Sequence, residues 1–456
     1  MKKSQVDMLG GSLLKNILAF AIPVILTSLL QLFFNAADLI VVGRFCGSIS
    51  VGAVGATGAI TNLVINMFIG LSIGAGVTVA HGVGARDHNR VENAVHSSIF
   101  FAIVGGIVLT IVGVLFSGTF LRWMATPENV LPLSKIYMQI YFAGAIPMMV
   151  YNYGASILRA VGDTKRPLYF LAVAGVVNVV LNLRFVTVFH MNVAGVALAT
   201  TISQTISAVL VVRALMLRED ACRLNLKALK IHKQEFLSIL RIGIPAGVQG
   251  SLYSISNVLI QSSINSFGDI VVSGNSAAAN IEGFVWVIMN AFMQSAINFM
   301  GQNMGARQYK RLRRIMLTCL LCVSVSGIVF GNLAYFLSPH LLKIYITDSA
   351  EAIVYGGIRM AFICVPYFIC GIMDVMTGCL RGIGKSMSAM FITVAGVCGI
   401  RIVWIYTIFR IPQFHSVKSL YISYPITWGI TFLIEFTYFM IATRKLIRSQ
   451  QEQIEA

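Results

Sequence analysis

The stretch Ile22-Pro-Val-Ile-Leu-Thr-Ser-Leu-Leu-Gln-Leu-Phe-Phe-Asn-Ala-Ala-Asp38 decides the fold class of this protein. It lies in an apolar run that begins near Ile17 and carries a carboxylate, Asp38, close to its end. A run of about 20 mostly apolar residues is long enough to cross a lipid bilayer as a helix. The stretch therefore predicts a membrane-spanning helix that contains an acid.

Apolar runs of this kind fill the rest of the chain. Of its 456 residues, 57% are hydrophobic and only 11% are charged, and the mean hydropathy of +0.81 lies far outside the range of soluble proteins. The first run is longer than the apolar region of a signal peptide, so we expect the first helix to be retained. We predict an all-α membrane protein with twelve transmembrane helices, near residues 15–42, 51–80, 93–117, 134–158, 166–189, 193–213, 238–266, 272–302, 315–338, 352–379, 386–409 and 418–442.

The placement of the 34 lysines and arginines explains the net charge of +17. Most of them fall with the two termini and the even-to-odd loops, while Arg359 and Arg401 lie within spans. This is the positive-inside pattern, and it predicts cytoplasmic termini in a cell membrane of the bacterial inner-membrane type. We expect contacts with membrane lipids, no nucleic-acid partner, and a monomer.

The sequence consists of two related halves. Four residues of the opening run recur at a constant offset of 222: Ile22, Pro23, Leu30 and Asn35 correspond to Ile244, Pro245, Leu252 and Asn257. Two loops match as well, Gly84-Ala-Arg86 with Gly305-Ala-Arg307, and Leu158-Arg159-x-x-Gly162 with Leu380-Arg381-x-x-Gly384.

The repeat predicts the domain organisation. Because six spans return the chain to its starting side, the two halves have the same orientation and are related by an axis along the membrane normal. We expect an N-lobe at residues 1–216 with helices 1–6, a cytoplasmic linker at 217–234, a C-lobe at 235–446 with helices 7–12, and a cytoplasmic tail at 447–456. Two such lobes favour a central cavity.

Acids within spans are the first candidates for chemistry. A charged side chain at the centre of a bilayer costs roughly 2.5 to 3.5 kcal/mol, so each acid needs a partner, a proton or a hydrated cavity. Protonation or a bound Na⁺ would neutralise such an acid, and this is the chemistry of an ion-coupling site. Four acids lie clearly within spans: Asp38, Glu282, Asp374 and Glu435.

Each acid also has a structural interpretation. Asp38 either binds a coupling ion or lies near the outer interface, paired with Arg44. In the second half its position is taken by Ile260, so that lobe would rely on Glu282 and Asp374, which could instead be buried structural acids. Glu435 lies in the last span without a polar context, and a structural role is favoured there.

Other polar residues in spans could support such sites. Asn35 precedes Asp38 by three positions, and Pro23 can bend the first helix because its ring and missing amide disturb the backbone ladder. Asn178, Asn182 and Thr200 either contact the ion or substrate or join helices by hydrogen bonds. Arg401 either serves as a counter-ion for Asp374 or Glu282, or packs between helices.

The sequence lacks two common signatures of soluble enzymes. Walker A and H-E-x-x-H motifs are absent, so any transport is expected to be ion-coupled, with H⁺ or Na⁺ and no other cofactor. The eight cysteines are scattered, and the C-x-x-C of Cys319 and Cys322 falls in an apolar span, where packing is favoured over a redox or metal role.

Taken together, these motifs resemble those of multidrug and toxic compound extrusion (MATE) transporters over essentially the whole chain. The matching residues are Ala21-Ile-Pro23, Asn35-Ala-Ala-Asp38, Val42-Gly-Arg44, Gly301-Gln-Asn303, Gly305-Ala306 and the paired Leu-Arg-x-x-Gly loops. The resemblance implies two six-helix lobes around a V-shaped cavity, and export of organic, often cationic, amphiphiles against inward flow of H⁺ or Na⁺. It also implies an N-lobe ion site at Asp38, Asn178, Asn182 and Thr200, with Pro23 as the bending point of the first helix.

The chain departs from this family pattern at one position. Many relatives have a second aspartate where this sequence has Asn182, so Asp38 is the only clearly titratable candidate in its lobe. Glu282 and Asp374 resemble the C-lobe acids of another branch, and the sequence does not decide between the two sites. The alternative function is a flippase of the same superfamily for lipid-linked saccharides; a passive channel and an intramembrane enzyme are less favoured.

Overall fold

The structure is a computed structural model that describes residues 5–347 and 349–455, with only the backbone described at residues 48, 59 and 454. Within these residues the regular structure is entirely helical. The first half contains seven α-helices: α1 (Leu13–Phe45), α2 (Ser48–Gly84), α3 (His88–Trp123), α4 (Leu131–Ala143), α5 (Ala145–Ala160), α6 (Lys165–Leu183) and α7 (Asn192–Met216).

The second half contains nine α-helices of different lengths. They are α8 (Lys233–Asn265), α9 (Asp269–Gly305), α10 (Tyr309–Phe336), α11 (Ser338–Tyr345), α12 (Ala350–Ile363), α13 (Tyr367–Gly382), α14 (Ser386–Thr393), α15 (Ile400–Tyr406) and α16 (Val417–Glu455). A π-helical turn, Val394–Gly399, joins α14 to α15, and another, Arg184–Val188, extends α6.

Nine helical segments in the described part of the chain are long and apolar enough to cross a membrane. A tenth span results if α12 and α13 count together, since they meet at a 49° bend. Pro366 at this bend cannot donate a backbone hydrogen bond and interrupts the helix. The two remaining predicted spans fall on the pair α4 and α5, which is broken at Gly144, and on α8.

The repeat seen in the sequence recurs as matched backbone geometry. Gly162 and Gly384, which end the paired Leu-Arg-x-x-Gly loops, have φ values of 84° and 82°. Side chains other than glycine rarely adopt this left-handed region, which explains the shared glycine. Arg86 and Arg307, after α2 and α9, both have a φ of 55°.

The chain folds into two compact units. Unit 1 comprises residues 5–6 and 26–247, and unit 2 comprises residues 7–25 and 248–455 in their described parts. In both α1 and α8 the division follows shortly after a proline within the helix, Pro23 and Pro245.

Each unit is built on helices packed through small residues. In unit 1, α3 packs against α4 and α5, and α6 packs against α7. In unit 2, α9 contacts α10, α12 and α13. There a Cβ added to Gly274 would lie 2.2 Å from the carbonyl oxygen of Ala352, so α9 and α12 approach backbone to backbone.

The linker between the halves is held against α3 in unit 1. The amide of Asn225 donates to His96 Nε2 at 3.1 Å, and the amide of His232 donates to Ser97 Oγ at 2.9 Å. Arg218 and Asp220 form an ion pair at its start, with 2.8 Å between Arg218 Nε and Asp220 Oδ1. The linker is therefore an ordered part of this unit.

Candidate functional site

Asp38 lies in a cavity of about 310 Å³ within unit 1, which we call the first cavity. Helix α1 supplies Asn35 and Asp38, α6 supplies Asn178, and α7 supplies Thr200. Its other lining residues are apolar, aromatic or uncharged polar side chains, and neither lysine nor arginine is among them. Among the described residues that line this cavity, Asp38 is thus the one that carries a carboxylate, and it has no basic neighbour in the lining.

A hydrogen-bond cluster surrounds the Asp38 carboxylate. The amide of Asn182 donates to Asp38 Oδ1 and, at 3.3 Å, to Asn178 Oδ1. Thr200 Oγ1 lies 3.4 Å from Asp38 Oδ2 and 3.0 Å from the carbonyl oxygen of Val196. Since a hydroxyl has a single proton, Thr200 can donate to only one of these two acceptors at a time.

The cluster also contains an acceptor without a donor. Asn182 is fully buried, and its Oδ1 atom has no hydrogen-bond partner in the described structure. A buried acceptor without a partner costs about 1 to 3 kcal/mol. A carboxylate, a spare amide oxygen and a hydroxyl together form an oxygen-rich site that could hold a proton or a hard cation such as Na⁺.

The structure therefore brings together Asp38, Asn178, Asn182 and Thr200, the four residues expected to share a site. Among the described residues no ion pair joins Asp38 to the exposed Arg44. Pro23 lies buried within α1, more than three turns before Asp38. Ile260, at the corresponding position of α8, is buried in unit 2.

A second cavity, of about 300 Å³, lies within unit 2. It is lined by both acids expected there, Glu282 from α9 and Asp374 from α13, and also by two arginines, Arg359 from α12 and Arg401 from α15. Aromatic rings form much of the remaining wall: Tyr253, Trp286, Tyr367, Tyr424 and Trp428.

Glu282 is neutralised by an arginine. Arg359 Nη2 lies 2.7 Å from Glu282 Oε2, and Arg359 Nη1 donates to Asn275 Oδ1 at 2.7 Å. The hydroxyl of Tyr421 donates to the same Asn275 oxygen at 3.0 Å, and Tyr367 Oη lies 3.4 Å from Glu282 Oε1. A charge-assisted network of this kind fixes α9, α12 and α16 relative to one another.

Arg401 contacts aromatic rings instead of an acid. Its guanidinium carbon lies 4.0 Å from the ring centre of Tyr424 and 5.8 Å from that of Trp428. Its Nε donates to Thr427 Oγ1 at 3.2 Å. Within the described residues it forms no ion pair with Asp374 or Glu282; the partner of Glu282 is Arg359. The sequence places both arginines in spans but does not reveal which one meets the acid.

The two remaining acids differ in their surroundings. Asp374 is partly exposed to the second cavity and has no ion pair in the described part of the chain. Glu435 is fully buried and accepts a hydrogen bond from Thr377 Oγ1 at 2.9 Å, outside the lining of the second cavity. Its contacts are those of a residue that joins α13 to α16.

The cysteines are all unpaired thiols, and Cys319 and Cys322 are buried in α10. Among the described residues no group of three or more histidine, cysteine, aspartate or glutamate side chains could hold a metal ion.

Comparison with known proteins identifies relatives across nearly the full chain. The sequence pattern that defines the MatE family matches residues 23–183 and 245–407. A probable multidrug resistance protein of Bacillus subtilis, YpnP, is 28% identical over 84% of this chain and 86% of its own length. A second one from the same species, YoeA, is 24% identical over 95% of each chain.

Solved structures confirm the predicted fold. A multidrug resistance MATE family transporter of the MOP superfamily, in an outward-facing conformation, superposes with a TM-score of 0.90 at 20% identity. The match covers 98% of this chain and 99% of the other. The prediction of an all-helical protein that crosses the membrane many times is therefore correct.

Proposed function

Because the chain belongs to the MATE family, whose members are transporters and not enzymes, we propose that it exports organic, often cationic, amphiphilic compounds in exchange for H⁺ or Na⁺. The names of its relatives in Bacillus subtilis, which are probable multidrug resistance proteins, support this substrate class. The cavities in both units, lined by aromatic and apolar side chains, are of the kind that takes small organic molecules.

One observation carries the proposal: Asp38 has no basic partner in its cavity. A carboxylate in such a place must be hydrated, protonated or matched by a cation, and each of these states can change during a transport cycle. By contrast, Glu282 already has its counter-ion in Arg359. We therefore place the coupling ion at Asp38, with Asn178, Asn182 and Thr200 as its support, and keep Glu282 with Asp374 as the second candidate site.

The hydrogen bonds suggest how the ion changes the cavity. A proton on Asp38 or a Na⁺ beside it would neutralise the carboxylate and weaken the hydrogen bonds that Asn182 and Thr200 make to it. Either event removes the negative charge that holds a cationic substrate. Substrate and coupling ion therefore oppose each other's binding, as exchange requires.

Helix α1 would transmit the change, because it carries both Asp38 and Pro23. A proline within a helix lacks one backbone hydrogen bond, so bending there costs less than elsewhere along the helix. We propose alternating access in which the neutralised cluster favours one shape of α1 and the charged cluster favours the other. Asn35, which lines the same cavity, lies on this helix and would contact the substrate or the ion.

The test is efflux of a cationic dye from proteoliposomes with separately imposed pH and Na⁺ gradients. We expect Asp38→Asn to reduce gradient-driven efflux at least tenfold, while Asp269→Asn, an exposed acid in the first turn of α9, leaves it unchanged. The gradient that drives the wild-type protein identifies the coupling ion. Undiminished coupled efflux by Asp38→Asn would remove the first cavity from the mechanism and leave Glu282 and Asp374.

A lipid-linked saccharide flippase is the second candidate, because Arg359 and Arg401 line one cavity and such a substrate carries a diphosphate. The ion pair of Arg359 with Glu282 counts against it, since among the described residues that line this cavity it leaves one arginine without a carboxylate partner for two phosphates. Translocation of a fluorescent lipid diphosphate without any dye efflux would favour the flippase.

The remaining features of the proposal follow from the charge distribution. We propose that the protein works as a monomer in a bacterial-type inner membrane, with both termini and the linker at residues 217–234 in the cytoplasm. Labelling of single cysteines placed in the linker and after α1, from either side of the membrane, tests this orientation.

A further inference from the structure

The two cavities differ in the charged groups that line them. The first cavity has an acid, Asp38, and no basic residue in its lining. The second has two arginines and two acids, and one arginine and one acid neutralise each other as the pair Arg359 and Glu282. Among the described residues this leaves Arg401 and Asp374 without an ion pair, so what the second cavity offers and the first does not is a guanidinium, that of Arg401.

Arg401 is held in place without being neutralised. It is only 5% exposed, yet it lines the second cavity and has no carboxylate partner in the described structure. The bond from Nε to Thr427 and the stacking on Tyr424 fix the plane of the guanidinium. The structure shows no protein acceptor for its Nη atoms among the described residues. A buried arginine that keeps its charge needs an acceptor, and two parallel N–H donors fit an oxyanion.

The surroundings of Arg401 fit an aromatic or flat apolar body beside that oxyanion. Tyr424 and Trp428 pack edge to face with ring centres 5.7 Å apart, and Tyr367 meets Trp428 at 5.6 Å. Flat rings can stack on these faces or edges, while the guanidinium takes a charged group at one end.

We propose that the second cavity binds the acidic group of an amphiphile, a carboxylate, sulfonate or phosphate attached to a flat apolar body, with Arg401 as the residue that recognises it. The inference rests on the proposed export function and widens its substrate class from cations to acidic and zwitterionic compounds. In a zwitterion, the cationic group would meet Asp374, which lines the same cavity without an ion pair.

The test compares two probes that share one aromatic body, naphthalene-2-sulfonate and 2-naphthyltrimethylammonium, by calorimetric titration of the purified full-length protein in detergent. We expect saturable binding of the sulfonate to the wild-type protein and at least tenfold weaker binding to Arg401→Gln, because a hydrogen bond to a charged group is lost. Arg401→Lys keeps the positive charge but not the two parallel N–H donors of the guanidinium, so its affinity for the sulfonate should lie between those of the wild-type protein and Arg401→Gln.

Arg410→Gln is the matched control. Arg410 also stacks on an aromatic ring, Tyr406, at 5.1 Å, and it lies outside the second cavity. Its replacement should leave sulfonate binding unchanged. No saturable binding of the sulfonate, or equal losses in Arg401→Gln and Arg410→Gln, would overturn the proposal.

A gain of affinity provides evidence that misfolding cannot imitate. Glu282→Gln removes the counter-ion of Arg359 and leaves a second free guanidinium in the same cavity, so sulfonate binding should tighten several-fold. Unchanged or weaker sulfonate binding by this variant would also count against recognition by the cavity arginines.

Asp38→Asn separates this proposal from the proposed function. It should weaken binding of the ammonium probe and leave sulfonate binding unchanged, because Asp38 lines the first cavity. If Asp38→Asn binds the ammonium probe as tightly as the wild-type protein does, the coupling site at Asp38 is contradicted. If Arg401→Gln binds the sulfonate as tightly as the wild-type protein does, the role of Arg401 is contradicted.

Discussion

Removal of Arg359 should be the most destabilising single substitution in the second cavity. Arg359 and Glu282 form an ion pair at 2.7 Å with side chains only 9% and 16% exposed, so solvent screens their attraction little. Breaking a buried pair by removal of one partner costs about 3 to 5 kcal/mol, since the other charge stays buried and unpaired. We expect a loss of this size for Arg359→Met.

The two partners should not be equivalent. After Arg359→Met, the carboxylate of Glu282 retains only the hydroxyl of Tyr367 at 3.4 Å. After Glu282→Gln, the guanidinium of Arg359 retains the oxygen of Asn275 at 2.7 Å and lies over the rings of Tyr421 and Tyr424, at 5.6 and 5.9 Å. Glu282→Gln should therefore cost less than Arg359→Met. The double variant leaves neither Arg359 nor Glu282 behind as an unpaired charge and should recover most of the loss.

The assay measures the thermal unfolding midpoint of the protein in detergent. The folded fraction left after heating is read from the fluorescence of the monomer peak in size-exclusion chromatography. All four proteins of the double-mutant cycle are measured under one condition, and the coupling between the two changes is the quantity that isolates the pair. Additive losses, with the double variant as unstable as the sum of the single ones, would show that the ion pair does not hold these helices together.

Two further predictions concern stability outside the cavities. Gly274→Ala should destabilise unit 2 by about 1 to 3 kcal/mol, because the new methyl group would lie 2.2 Å from the carbonyl oxygen of Ala352. Gly357→Ala is the control: a methyl group there would have nothing within 4 Å, so the change should be neutral or slightly stabilising. The thermal unfolding midpoints of the two variants are compared with that of the wild-type protein. In the linker, partial burial acts to raise the pKa of Asp220, but the hydrogen bond and charge of Arg218 outweigh it and hold that pKa below its usual range. A lowered folded-state pKa stabilises the fold above the ordinary pKa of aspartate and loses this effect as the pH falls through the folded value. Between pH 5 and about pH 3 the unfolding midpoint of the wild-type protein should thus fall more than that of Asp220→Asn. The difference corresponds to less than about 1 kcal/mol of unfolding free energy, because Asp220 is half exposed. An equal dependence of the midpoint on pH in the two proteins would contradict the role of the pair.

Much of the first cavity could be predicted from the sequence. The costs of a charge in a membrane single out Asp38, and the family resemblance joins it to Asn178, Asn182 and Thr200, which the structure brings into one cluster. The unsatisfied oxygen of Asn182 could not be predicted, because it depends on which way a fully buried amide points. That direction is set by Asp38 on α1 and Asn178 on α6, which both accept from the Asn182 amide nitrogen.

The sequence could not predict which arginine of the second cavity pairs with Glu282, because this depends on how the helices pack. Arg359 and Arg401 are both arginines in apolar spans, and nothing local distinguishes the one that meets Glu282. The choice depends on which helices pack together. Arg359 lies on α12, which packs against α9, the helix that carries Glu282, whereas Arg401 lies on α15, which packs against α16.

The two halves have kept the fold and diverged in charge. Their loops share φ values to within a few degrees at Gly162 and Gly384, yet Asp38 in one half corresponds to Ile260 in the other. Unit 2 keeps an acid without an ion pair among the described residues, Asp374, at a different position, and it adds an arginine, Arg401, that attracts what the first cavity repels. In the proposed mechanism Asp38 takes the coupling ion and cationic groups and Arg401 takes acidic groups, so substrates of either charge would not compete for a single site. The ion pair of Glu282 with Arg359 supports this division, because it leaves Arg401, among the described arginines of the second cavity, as the one without a carboxylate partner.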